Sequence, residues 1–117
     1  MGAVPAPLQP LFRTSVQPYL RSWFGYDPAV EITKLRVPVL IVQGRTDIQI
    51  GVADAQRLSI VNRRTQLLLI DGMNHILKTA PRSRAENLAT YNDPSLPLAR
   101  DLVDAIAVFL EGVARSR

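Results

Sequence analysis

Residues 38–47 read Pro-Val-Leu-Ile-Val-Gln-Gly-Arg-Thr-Asp, and residues 65–75 read Thr-Gln-Leu-Leu-Leu-Ile-Asp-Gly-Met-Asn-His. Each holds an unbroken apolar run, Pro38 to Val42 in the first and Leu67 to Ile70 in the second, of the kind a strand needs when both faces of a parallel sheet are covered. Gln43-Gly44 and Asp71-Gly72 punctuate their ends. Between them, Asp54 to Val61 carries Ala55, Leu58 and Val61 on one side and Gln56 and Arg57 elsewhere, which predicts an amphipathic helix starting near Val52. Residues 38–77 are therefore expected to form a strand-helix-strand unit with parallel strands and a right-handed crossover. The fold class is α/β.

Upstream, Pro5, Pro7 and Pro10 predict an extended, proline-rich lead-in over residues 1–13. Val16, Tyr19, Leu20, Trp23 and Phe24 then recur at helical spacing, with Pro18 tolerated in the first turn and Gly25 as a stop. Asp27-Pro28 has the form of an N-cap followed by proline at the first helical position, opening a helix of one to two turns through Ile32 and Leu35. Downstream, a polar stretch containing Pro81, Pro94 and Pro97 is expected to be loop. A final helix over 98–114 is predicted from the stripe Leu102, Ile106, Phe109, Leu110 and Val113.

The 117 residues correspond to one domain, with 47% hydrophobic and 21% charged residues, which are ordinary globular proportions. The net charge of +4 is scattered over small groups such as Arg63-Arg64, so no basic stripe suited to nucleic acid is present. There is no cysteine, which removes disulfides, thiolate metal sites and cysteine nucleophiles. No apolar run approaches the ~20 residues that span a bilayer, and the first ten residues lack the pattern of a secretory signal. These features lead to an expectation of a cytoplasmic protein without membrane or nucleic-acid partners.

In parallel α/β sheets, sites form outside the carboxyl ends of the strands, where loops converge and the following helices aim their N-termini. Asp47 lies just past the first strand, and His75, the only histidine, just past the second. Adjacent parallel strands end ~5 Å apart, close enough for the two side chains to meet. A carboxylate on one imidazole nitrogen fixes the tautomer and supports the imidazolium, leaving the other nitrogen to take a proton from water or an alcohol. Taken singly, Asp47 also fits a loop-capping carboxylate and His75 a loop histidine satisfied by backbone. Their occurrence on consecutive parallel strands favours a general-base pair, so the predicted catalytic residues are Asp47 and His75.

The stretch from Val37 to Lys78 resembles the last two strands of α/β-hydrolase family proteins, most closely the serine esterase, lipase and S9/S33-type peptidase branch. By that resemblance Asp47 matches the triad acid and His75 the triad base. Tyr19 to Leu35 resembles the segment entering the penultimate strand, and Leu98 to Ala114 the C-terminal helix. The likeness covers most of this chain but only about the last third to half of a usual hydrolase domain. It implies a partial α/β-hydrolase fold and action on a short-chain carboxylic ester.

The Gly-x-Ser-x-Gly elbow and the glycine-rich oxyanion motif of that family are absent, so no nucleophile carries over. Ser15, Ser22, Ser59, Ser83, Ser95 and Ser116 all fall in predicted helices, loops or the tail. No metal site is expected, because Asp47, Asp71 and His75 are the only candidate ligands near one strand edge. No cofactor is expected either, since Gly44 and Gly72 are single glycines and not a phosphate-cradling loop. Tyr19, Trp23, Phe24 and Tyr26 fit core or interface packing, with a lid or acyl pocket as the other reading.

Two strands alone leave open edges and faces needing cover, so self-association into a homo-oligomer, simplest as a dimer, is expected to complete the sheet. The functional expectation is an ester hydrolase using an Asp47-His75 dyad on a small-molecule ester. The competing expectation is a non-catalytic hydrolase piece that self-associates or binds a partner or apolar ligand.

Overall fold

In the computed structural model, which describes residues 6–116, two parallel strands carry five α-helices around them. Strand β1 (Val39–Gly44) pairs in parallel with β2 (Thr65–Ile70), Val39 opposite Thr65 and Gly44 opposite Ile70. Helix α3 (Val52–Val61) makes the crossover and packs on both strands through buried Ala55. The predicted strand-helix-strand unit is present, with β1 running on through Gln43 and Gly44.

Helix α1 spans Gln17–Phe24 with Pro18 in its first turn, and α2 spans Pro28–Ile32. The Asp27 side chain caps α2 by accepting from the Ala29 amide at 2.9 Å, as the Asp-Pro pair predicts. Asn62, buried after α3, donates to the carbonyl of Ile32 at 2.7 Å and so ties α2 to the start of β2.

Three expectations are corrected. Residues 6–12 of the lead-in form a short 3-10 helix instead of extended chain, because proline's fixed φ suits a 3-10 turn as well as an extended one; residues 1–5 lie outside the described residues. The stretch expected to be loop contains helix α4 (Arg84–Ala89), followed by a 3-10 turn at Thr90–Asn92. The last helix, α5, runs Arg100–Arg115. It starts later than expected because Leu98 pairs with Lys78 in an antiparallel bridge, and the Ala99 amide donates to the Leu77 carbonyl at 2.8 Å.

Side chains alternate along paired strands, so Val42, Leu68 and Ile70 share one face. There they meet Met73, Ala99 and Leu102, the last from α5, in one small core. None of Val39 to Val42 or Thr65 to Leu69 is fully buried. The aromatic residues Tyr19, Trp23, Phe24 and Tyr26 are all exposed, Phe24 at 83%, so they supply no core within this chain. No helix among the described residues is long and apolar enough to cross a membrane.

Candidate active site

The loop after β1 and the loop after β2 are pinned together by backbone. The Arg45 amide donates to the Ile70 carbonyl at 3.0 Å, and the Thr46 amide to the Met73 carbonyl at 3.1 Å. Gly44 makes this approach possible, since a β-carbon there would overlap the Met73 carbonyl. Gly72, at φ 69°, turns the chain out of β2 in the left-handed region that glycine adopts without cost.

This places Asp47 and His75 in contact, with Nδ1 of His75 2.9 Å from Oδ2 of Asp47. The Asp47 side chain is only 7% exposed, whereas that of His75 is 41% exposed. The other Asp47 oxygen accepts from the amides of Gln49 at 2.8 Å and Ile50 at 3.0 Å, which orders the turn leading into α3. Gln43 adds a longer bond to Oδ2 at 3.3 Å. Burial pushes the Asp47 carboxyl up. The Ile50 and Gln49 amides and the neighbouring imidazole more than offset it, holding the group below its usual value. Asp47 is thus an anion at neutral pH, and Nδ1 of His75 carries the proton it accepts.

The tautomer this sets leaves Nε2 of His75 as the basic nitrogen, and it has no hydrogen-bond partner among the described residues. The pair sits in a cleft of about 160 Å³ lined by Val42, Ile50, Met73 and Leu77. Leu77 has φ 65°, a left-handed conformation unusual for a residue with a β-carbon. It is held there by two bonds, its amide to the Asn74 carbonyl at 3.0 Å and its carbonyl from the Ala99 amide.

The serines that form hydrogen bonds form them elsewhere. Ser22, Ser59 and Ser116 each return a hydroxyl bond to their own helix backbone, and Ser95 bonds Asp93. The backbone amide of Asn74, well placed for an anion, is committed to the Lys78 carbonyl at 2.9 Å. Asp71 points away from the pair, bonding Arg45 at 2.8 Å on the surface. No group of three metal-ligating side chains converges among the described residues.

Sequence reading missed a set of neutral polar residues around the pair. Asn74 and Asn87 are fully buried, and Thr46 nearly so. Asn87 donates to the carbonyls of Thr46 at 2.7 Å and Pro81 at 2.9 Å, while the Asn74 amide group donates to Thr90 Oγ1 at 2.8 Å and Asn87 Oδ1 at 3.3 Å. Asn74 Oδ1 in turn accepts from the Lys78 amide at 3.1 Å. The available signal was the adjacency of Thr46 to Asp47 and of Asn74 to His75. No family model matches this chain, and a search of curated proteins finds no match to it.

Proposed function

We propose that this chain is an α/β-hydrolase-type ester hydrolase in which Asp47 and His75 act as a general-base dyad on a short-chain carboxylic ester. The observation that carries this reading is the 2.9 Å bond between a buried, ionised Asp47 and the inner nitrogen of a half-open imidazole. Nε2 takes a proton from water as its oxygen adds to the ester carbonyl, and the imidazolium returns the proton to the departing alcohol. Asp47 stabilises the imidazolium between the two steps and keeps its ring in place. Without a family nucleophile the reaction is slow, because the rest of a triad retains only a small part of its rate. A serine lent by a second copy of the chain would raise it. The resemblance of residues 37–78 to the acid and histidine end of α/β-hydrolases supports the same assignment.

The test is hydrolysis of a short-chain p-nitrophenyl ester by purified protein beside His75→Ala and Asp47→Asn, with fluorophosphonate labelling and mass mapping. Loss of turnover in His75→Ala supports the dyad, and a labelled serine would name a nucleophile. Equal turnover in all three proteins refutes the reading.

A second reading, a non-catalytic hydrolase piece that self-associates, rests on exposed surface. The chain presents 9046 Å², against about 6,300 Å² for a compact monomer of 13.0 kDa. Its radius of gyration is 17.5 Å, where about 13 Å is usual for this length. The excess is larger than the roughly 1,200–2,000 Å² buried in a standard interface. Between α5 and the sheet a groove of about 710 Å³, lined by Leu40, Leu68, Val108, Phe109 and Val113, stands open. A second copy supplies apolar surface of the right kind in the aromatic side of α1, whose residues are unburied in their own chain. Self-association is compatible with either function, and ester turnover separates the two.

A further inference from the structure

The segment comprising α4 and the turn after it, residues 84–92, contributes no apolar side chain to the core. Its one fully buried residue is Asn87, at 0% exposure, and Leu88 points outward. What it offers the rest of the molecule is three polar side chains, and each reaches a loop that carries the acid or the histidine. Asn87 holds the carbonyl of Thr46, the residue before Asp47, at 2.7 Å. Thr90 accepts from Asn74, the residue before His75, at 2.8 Å, and donates its hydroxyl to the Asn87 carbonyl at 2.7 Å. Tyr91 accepts from Gln49, whose amide also binds Asp47, at 3.0 Å. Asn87 and Asn74 close the set between themselves at 3.3 Å.

We propose that residues 84–92 form a polar clip whose centre, Asn87, is a positioning residue for the Asp47-His75 pair, an inference that deepens the hydrolase reading and rests on it for its catalytic consequence. A buried Asn with both ends engaged is held because the alternative is a desolvated, unpaired amide. Its NH₂ group spends both donors on backbone carbonyls, of Thr46 and Pro81, and its oxygen accepts from Asn74. One side chain therefore sets the separation of the two strand-end loops. Thr90 accepts from the same Asn74 amide group and, through its hydroxyl, holds the Asn87 backbone. Because proton transfer falls steeply with misplacement, an error of about 1 Å between the loops costs on the order of 10²-fold in rate.

The decisive readout uses the fact that His75 is the only histidine. With the imidazole labelled with ¹⁵N, the Nδ1–H proton bonded to Asp47 gives one resonance, which that hydrogen bond slows in exchange with water. Asn87→Ala and Thr90→Val should each broaden or erase that resonance while circular dichroism and a cooperative melt persist, and Thr90→Ser, which keeps the hydroxyl, should restore it. Ester hydrolysis should fall about 10²-fold in Thr90→Val with KM nearly unchanged. If Asn87→Ala does not fold, the Thr90→Val and Thr90→Ser pair decides alone. A wild-type resonance in Thr90→Val, and in Asn87→Ala where that protein folds, overturns the clip. Absence of hydrolysis by the unmutated protein refutes the hydrolase reading instead and leaves the resonance comparison to judge the clip.

Discussion

The α-carbon of Gly44 lies against the carbonyl of Met73 with no room for a side chain between them. The contact joins the last residue of β1 to the loop that delivers His75, and the Thr46 amide bonds the same carbonyl. Gly44→Ala must push the two loops apart. Expected is a loss of about 1–3 kcal/mol in urea unfolding, the usual cost of overpacking a tight site, together with loss of the Asp47-bonded His75 resonance. Unchanged stability and resonance would mean that the loops move apart freely and that the close approach holds nothing.

Asp47→Asn keeps the size of the side chain and its bonds from Gln49 and Ile50 can persist, but the charge that supports an imidazolium is gone. Turnover of a p-nitrophenyl ester should fall on the order of 10²–10⁴-fold, and His75→Ala should fall at least as far. Steady-state rates of the purified variants check both.

The depressed Asp47 carboxyl also predicts an acid dependence. The group binds its proton less readily folded than unfolded, where its ordinary value is 3.8. The unfolded chain therefore takes up more protons in that range, so the contribution of Asp47 to stability is present above the unfolded value and is lost as pH falls through the folded one. The stability difference between the unmutated protein and Asp47→Asn should be constant near neutrality and shrink below about pH 4. Urea titrations between pH 7 and pH 3 test this; a difference that grows on acidification contradicts it.

Which of these features the sequence announces follows from how each is stabilised. The strands, α3 and α5 are built on apolar periodicity, and Asp27-Pro28 is a capping pair with one structural meaning, so all of them are legible in the residues alone. Asp47 and His75 are legible because a parallel sheet gives strand ends a fixed significance. Helix α4 is not, since Arg84 to Ala89 lacks an apolar stripe and is held by the tertiary bonds of Asn87. Asn74, Asn87 and Thr90 escape for the same reason: neutral polar residues in loops follow no period, and their role exists only once distant loops are brought together. The lead-in over 6–12 shows the weakness of proline as a guide, because its fixed φ excludes a long helix interior without choosing between an extended chain and a 3-10 turn.

Leu77 stores strain beside the cleft at φ 65°. A left-handed backbone costs roughly 1–2 kcal/mol for an L-residue, less for Asn and more for a β-branched one. Leu77→Val should lower stability by about 1–2 kcal/mol beyond Leu77→Asn, even though Val is the closer match in polarity. Equal thermal midpoints for the two variants would show that the loop relaxes out of this conformation.

The sole tryptophan, Trp23, lies on the exposed side of α1 with its ring 5.3 Å from that of Tyr19. If a second copy covers this aromatic side and the open groove by α5, burial of apolar surface must make both assembly and stability depend on protein concentration. Sedimentation should then report a dimer at micromolar concentration, with Trp23 emission moving to shorter wavelength as the protein is concentrated. Phe24→Asp, at an 83% exposed position, costs the isolated fold little but places a charge in the interface, so it should return the protein to monomer. A monomer of undiminished stability at these concentrations, with invariant Trp23 emission, would remove self-association as the cover for this surface. The resonance experiments would be unaffected, since they read the Asp47-His75 pair within one chain, whereas a serine lent by a second copy would be removed as a contributor to ester turnover.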